Sequence, residues 1–359
     1  MNMRSGYSIG VVGATGQVGR AFLRILEDSE HPDLPIKQLR LFASSRSAGM
    51  RISFRGQEIA VEEGRPDPAL FEGLDFVLTA VGDVEAKAYS PAIAEAGALN
   101  VDKSNAWRMD PTVPLVVPEV NPDDAREHLG IIAGPNCSTT QMVVALWPIH
   151  RVNPIKRIIV DTYQAVSGTG WRAVDELKAQ TENVVTGRDS VPSVYPHQIA
   201  HNVIPEIGGL KDDGLYSEEL KMLQETRRIF HAPEILVSAT CVRVPVAVGH
   251  SEAIHIELER PMSAEEARAL LSVAPGVVVQ DDPANHVYPQ PLDVAGRDEV
   301  YVGRIRKDPS HPRGLALWCV SDNLRKGAAL NAVQVFELVA RNGWKDGARN
   351  ARALAGAAR

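Results

Sequence analysis

The feature that most constrains this chain lies at its start. Tyr7–Val12 is a short apolar run rich in β-branched residues, and Gly13, Gly16 and Gly19 follow at once, ahead of the helical pattern RAFLRILEDSE. A buried strand, a glycine turn and a helix, in that order, open a crossover of a parallel sheet. Glycine lets the backbone turn tightly and approach a pyrophosphate at the helix N-terminus, where N–H groups and the macrodipole favour anions. Further strands are expected at 38–43, 75–80, 99–101 and 115–117, with helical stretches such as EAKAYSPAIAEAG between them. This alternation predicts a mostly parallel sheet with helices on both faces.

In such a fold the second strand of an NAD site usually ends in an acid that holds the ribose 2′-hydroxyl. Here 38–43 runs instead into Ser44, Ser45, Arg46 and Ser47. Hydroxyls and a guanidinium fork suit a 2′-phosphate, so the expected cofactor is NADP.

A second chemical signal sits at 131–150. The run IIAGPN is a short strand followed by breaker and cap, and CSTTQMVVALWPIH has helical spacing. Asn136 is the expected N-cap, which puts Cys137 in the first helical turn. A thiol there faces the positive helix end, which favours the thiolate, and neighbouring amides can hold an oxyanion. Cys241 and Cys319 fall inside strand-like runs and are expected to be core. A nicotinamide cofactor with an activated cysteine suggests aldehyde chemistry: thiolate attack gives a thiohemiacetal, hydride leaves to NADP, and phosphate or water releases the resulting thioester.

The segment TCVRVPVAVGHSEAIHIE reads as two strands around a Val-Gly-His turn, with Arg243 and His250 flanking it. A histidine at such a strand end is expected to open onto a cleft and to exchange the thiol proton, and Arg243 can grip a carboxylate in two parallel hydrogen bonds. Glu218 and Lys221 share one helix face by their i, i+3 spacing, which by itself reads as a surface ion pair. His197 and His201 are spaced for a metal pair, but no third ligand is in view, so packing is expected and no metal.

Composition bounds the rest. A chain of 359 residues exceeds one ordinary core, so two domains are expected. A net charge of -7 gives no basic excess for nucleic acid. Three widely spaced cysteines without a CxxC pair suit a reducing cytoplasm. No apolar run reaches spanning length, and with a strand expected as early as Tyr7 no signal peptide is expected. The Ala/Arg-rich tail ARNARALAGAAR reads as a fraying helix end.

Taken in order, GVVGATGQVGR, ASSRSAG, SNAWRMD, GPNCSTTQM, YQAVSGTG, PHQIAHNVIP, EELKMLQETRRI, CVRVPVAVGHSEA, VGRIRKDPS and DNLRKGAALNAVQ resemble the aspartate-semialdehyde dehydrogenase family over nearly the whole chain. The resemblance implies an α/β fold: a Rossmann-type NADP-binding domain of residues 1–134 and 323–359, with the C-terminal helix returning to it. A second α/β domain, glyceraldehyde-phosphate-dehydrogenase-like, would span 135–322 and serve catalysis and dimerisation. The implied reaction reduces β-aspartyl phosphate with NADPH to aspartate semialdehyde and phosphate, on the way to lysine, threonine, methionine and diaminopimelate. It implies Cys137 as nucleophile, His250 as acid/base and Gln164 as an orienting residue. Arg243 would bind the substrate carboxylate, Glu218 its ammonium, Arg108 and Lys221 the phosphate, with Asn136 orienting the acyl group. On the cofactor side it implies Gly13, Thr15, Gly16, Gln17, Val18, Ser44, Ser45, Arg46, Ser47, Ser167, Gly168 and Asn323. The implied assembly is a homodimer, with small-molecule substrates and no nucleic acid or membrane partner. Two other readings share parts of the pattern: another acyl-phosphate reductase, of the N-acetyl-γ-glutamyl-phosphate type, and a non-catalytic NADP-binding regulator.

Overall fold

The structure, a computed structural model, describes residues 6–28 and 31–348. The Ala/Arg-rich tail, apart from Ala348, lies outside the described residues. The chain divides into two compact units, one running to Pro135 and resuming at Ala328, the other Asn136–Gly327.

The first unit holds β1 (Tyr7–Val12), α1 (Gln17–Asp28), β2 (Ile36–Ala43), β3 (Arg51–Phe54), β4 (Gln57–Glu63), α2 (Pro68–Phe71), β5 (Phe76–Thr79), α3 (Asp83–Glu95), β6 (Leu99–Asp102) and β7 (Ile131–Ala133). Its sheet runs β3-β4-β2-β1-β5-β6-β7, parallel throughout except for the β3-β4 hairpin. Strand alternation sorts the two faces. Ile9, Val11, Phe76 and Leu78 pack with Phe22, Ile25 and Leu26 of α1. Val12 and Val77 turn the other way, onto Phe71 and Ile93. The expected strand at 115–117 does not form: Leu115 makes a single bridge to Ala133. Pro114 and Pro118 flank the run, and the Val117 amide is taken by Asn121 Oδ1 at 2.9 Å, so no ladder can extend.

The second unit holds α4 (Cys137–Val152), β8 (Ile155–Gln164), α5 (Trp171–Val185), α6 (Ser217–Ile229), β9 (Leu236–Arg243), β10 (His250–Leu258), α7 (Ala264–Ser272), β11 (Val277–Val279), α8 (Pro291–Val294), β12 (Val300–Lys307) and β13 (Gly314–Ser321). Its mixed sheet runs β11-β12-β13-β10-β8-β9. One face, with Ile158, Val160, Ile254 and Ile256 fully or almost fully buried, lies under α4, a helix buried over most of its surface. The other face carries Tyr163, Ala253 and Trp318, the two rings 5.5 Å apart.

Strand direction decides where the chemistry gathers. β8 and β9 are parallel and end together at Gln164 and Arg243, and antiparallel β10 begins at that same end with His250, paired to Ser321 at the end of β13. The chain closes with α9 (Leu330–Asn342), a helix of the first unit whose Leu330, Val333, Val335, Phe336 and Leu338 are buried in the same core as α1. Burying each such side chain is worth roughly 1.5–3 kcal/mol, and this packing holds the C-terminal segment onto the sheet.

Candidate active site

Pro135 and Asn136 stop β7 and start α4. The Asn136 side-chain oxygen accepts hydrogen bonds from Ser138 N at 3.0 Å and Thr139 N at 3.2 Å, a regular N-cap, so Cys137 opens the first turn. Cys137 is partly exposed, whereas Cys241 and Cys319 are buried. Burial, with Glu218 and Glu252 adding negative charge nearby, pushes the Cys241 and Cys319 thiols up from their ordinary values, which leaves them inert.

Asn136 does more than cap. Its amide nitrogen Nδ2 donates to Glu218 Oε1 at 2.8 Å, and its backbone N–H donates to Glu225 Oε2 at 2.6 Å. Gln164 Nε2 also donates to Glu218 Oε1, at 3.1 Å, while its own oxygen accepts from Thr162 Oγ1 at 3.0 Å. Lys221 Nζ stands 3.0 Å from Glu218 Oε2. The surface pair expected from spacing is therefore corrected: Glu218 is buried, because α6 packs beside α4 and β9 and turns this carboxylate inward. Burial opposes its charge, but Lys221 and the hydrogen bonds from Asn136, Lys221 and Gln164 outweigh it and hold the carboxyl at about 2.

His250 departs from its expected setting. It is wholly buried rather than open to a cleft, since β10 lies in the middle of the sheet between β8 and β13. Its Nδ1 accepts the Ala165 N–H at 3.0 Å, so a neutral ring carries its hydrogen on Nε2, and Nε2 has no partner. A ring in that tautomer has no lone pair left to take a thiol proton. Burial first, then the Arg243 charge, against a smaller opposing pull from Glu218, holds His250 down at about 3. Arg243 donates from Nη1 to Ala165 O at 2.7 Å, and its Nε is buried without a partner. Between these two side chains lies Gly168. A Cβ there would stand 3.1 Å from Arg243 Nη1 and 3.3 Å from His250 Nε2, so a glycine lets the backbone pass close to both donors. Ser167 and Asn323 exchange side-chain hydrogen bonds, and Asn323 Oδ1 also accepts Gly249 N at 2.9 Å, fixing the turn before His250.

In the first unit, the glycine loop and the end of β2 bear on a dinucleotide site. Gly13 has φ of 86° and a Cβ there would lie 2.3 Å from Ala80 O, so the loop is possible only with bare backbone. Thr15, Gly16, Gln17 and Val18 lead from it into α1, a regular helix of 12 residues. Beyond β2, Ser44, Ser45 and Arg46 are exposed and Ser47 half-exposed, with no acid in the loop. These features fit a dinucleotide. In the same unit Arg108 is buried, donating to Gly134 O at 3.0 Å and Lys103 O at 2.8 Å.

Comparison with known proteins gives these arrangements a family. Residues 8–128 match the NAD binding domain of semialdehyde dehydrogenases, and residues 146–326 match their dimerisation domain. An aspartate-semialdehyde dehydrogenase of Aquifex aeolicus is 51% identical over 341 residues, covering 94% of this chain and 99% of that protein. The chain belongs to the aspartate-semialdehyde dehydrogenase family. Among solved structures, aspartate semialdehyde dehydrogenase II of Vibrio cholerae complexed with ASA is similar, with TM-score 0.89, 41% identity and coverage of 94% of this chain and 99% of that one. The Candida albicans enzyme with NADP matches with TM-score 0.74, 28% identity and coverage of 94% and 99%. Membership carries with it the two-domain α/β fold and a nicotinamide cofactor. No helix among the described residues is long and apolar enough to cross a membrane.

Set against the family pattern, the second unit brings together Asn136, Cys137, Gln164, Glu218, Lys221, Arg243 and His250. It also places Ser167, Gly168 and Asn323 beside His250. His197 and His201 are exposed rather than packed, and His201 takes a left-handed backbone with φ of 58°. Sequence reasoning missed Glu225 and Ala165, whose contacts with the Asn136 amide and the His250 ring are set by pairings across 89 and 85 positions. The only local hint of Glu225 was its place two turns along the helix from Glu218.

Proposed function

We propose that this protein carries out the NADPH-dependent reductive dephosphorylation of β-aspartyl phosphate to L-aspartate 4-semialdehyde through a thioester on Cys137. The observation that carries the reading is the buried carboxylate of Glu218, held charged and tied by Asn136 to the helix that presents the thiol. An amino acid with a free ammonium group needs such an acid. An N-acetylated substrate does not, which disfavours the N-acetyl-γ-glutamyl-phosphate alternative. A full set of thiol, glutamine, arginine and histidine disfavours a non-catalytic regulator.

The residues divide the work as follows. Cys137, at a helix N-terminus that favours its anion, attacks the acyl carbon and phosphate departs, leaving the thioester. Lys221, with Arg108 added by motif likeness, takes the phosphate; Arg243 takes the α-carboxylate through its partnerless Nε and the adjoining Nη. Glu218 receives the ammonium group, and Gln164 and Asn136, both anchored on Glu218, orient the acyl group. His250 serves as a neutral Nε2–H donor to the oxyanion formed at the acyl carbon. When bound, the reduced nicotinamide supplies the hydride that converts the thioester to the aldehyde.

The choice of NADP rests on Ser44, Ser45, Arg46 and Ser47 in place of an acid, together with the NADP in the Candida relative. Gly13, Thr15, Gly16, Gln17 and Val18 would hold the pyrophosphate, and Ser167, Gly168 and Asn323 the nicotinamide side. The assembly is a homodimer through the sheet face carrying Tyr163, Ala253 and Trp318, whose cavity of about 350 Å³ is lined by Tyr288 and Arg304 among others. Both buried cysteines and a nucleophilic thiol suit the reducing cytoplasm. The test is mass spectrometry of the intact protein incubated with β-aspartyl phosphate and no NADPH. An aspartyl adduct on Cys137, absent from Cys137→Ser, is expected; an unmodified chain, or an adduct elsewhere, overturns the reading.

A further inference from the structure

The connection 186–216, between α5 and α6, has no regular element of its own, yet it is tied down at four points. Long irregular segments inside a compact unit are usually functional. Glu176 of α5, itself buried, accepts Ser193 N at 3.0 Å and Val194 N at 2.6 Å on one oxygen. One turn further along α5, Gln180 accepts Ile199 N at 2.8 Å and Ala200 N at 3.2 Å. Ile204 then forms a two-bond bridge with the Arg243 backbone, N to O at 2.9 Å and O to N at 2.8 Å. Between these anchors Tyr195 lays its ring 6.0 Å from the Arg243 guanidinium carbon, and its hydroxyl donates to Thr169 Oγ1 at 2.9 Å.

One strap therefore holds one arginine twice, by its backbone through Ile204 and by its side chain through Tyr195. The guanidinium is left with Nη1 committed to Ala165 O and Nε buried without a partner. An arginine with several rotatable bonds loses that preorganisation if the ring is removed. We propose that Tyr195 is a positioning residue that aims Arg243 at the substrate α-carboxylate, and so sets the preference for amino-acid aldehydes over aldehydes lacking that group. This rests on the carboxylate role given to Arg243 above.

The experiment compares two aldehydes in phosphate-dependent NADP reduction: aspartate semialdehyde, and 3-aminopropanal, which lacks only the carboxylate. Tyr195→Leu is expected to lower kcat/KM for aspartate semialdehyde about tenfold, mostly through KM. Its kcat/KM for 3-aminopropanal and its KM for phosphate and NADP are expected to stay at the parent values. Tyr195→Phe keeps the ring and should stay near the parent enzyme with both aldehydes. If Tyr195→Leu does not fold, Tyr195→Met removes the ring while filling similar volume and carries the same comparison. Equal losses on both aldehydes, or no loss on either, overturn the proposal. Arg243→Leu on the same pair separates the two ideas: if it too fails to discriminate, the carboxylate role of Arg243 falls, whereas a selective Arg243→Leu beside an unselective Tyr195→Leu sinks the positioning role alone.

Discussion

Glu218→Gln is the sharpest test of how the site is held. The carboxyl drops from an ordinary 4.5 to about 2 in the fold. At about 1.4 kcal/mol per unit, that is about 3 kcal/mol in favour of the charged form at neutral pH. Glutamine keeps the shape and can still accept from Asn136 and Gln164, but it offers Lys221 no charge, so most of that sum should be lost. The sign follows from linkage: a depressed carboxyl contributes its stability above 4.5 and loses it as pH falls through about 2. The assay is urea unfolding of both proteins at fixed concentration across that range, without substrate. The gap should be about 3 kcal/mol at neutral pH and less than half that by about pH 3. A gap that is independent of pH, or below about 1 kcal/mol at neutrality, would refute the account of Glu218 as a buried, charged anchor.

Three other outcomes are expected. Histidine ring NMR should find His250 neutral with hydrogen on Nε2 throughout the range from pH 5 to 8, because burial and then Arg243 hold it at about 3; a titration inside that range, or hydrogen on Nδ1, would reinstate a base. Arg46→Ala should raise KM for NADPH at least about tenfold more than for NADH, and equal effects would reject the 2′-phosphate assignment. Glu252 is fully buried with no hydrogen-bond partner on either oxygen, and burial, only partly offset by the nearby Gln141 amide, raises its pKa well above the usual range. A raised carboxyl favours folding fully below its unfolded value and loses that contribution as pH rises toward the folded one. The parent protein should thus lose Tm relative to Glu252→Gln as pH rises above about 5, and parallel Tm profiles would contradict this.

What could be read from the sequence, and what could not, divides along chain distance. The Gly13 loop and the Asn136 cap on the Cys137 helix were legible because turn and cap chemistry is settled within a few residues. Periodicity found β1, β2, β5, β6, β7, β9, β10 and β13, passed over β3, β4, β8, β11 and β12, and misjudged 115–117, where two prolines outweighed an apolar run. The same local reading left Glu176, Gln180 and Tyr195 unnoticed, because their partners are backbone or side chains further along the chain. Glu218 looked like half of a surface pair because Asn136 and Gln164, its decisive partners, lie 82 and 54 positions away. His250 shows the consequence for mechanism. Residue type and its neighbouring glycine suggested a base near neutral pH, but the Ala165 N–H, delivered from the end of β8, fixes the neutral tautomer with its hydrogen on Nε2, the form that the proposed donor role uses. Protonation state depends on who sits opposite, so local pattern can nominate a catalytic group while only the sheet register decides what that group does.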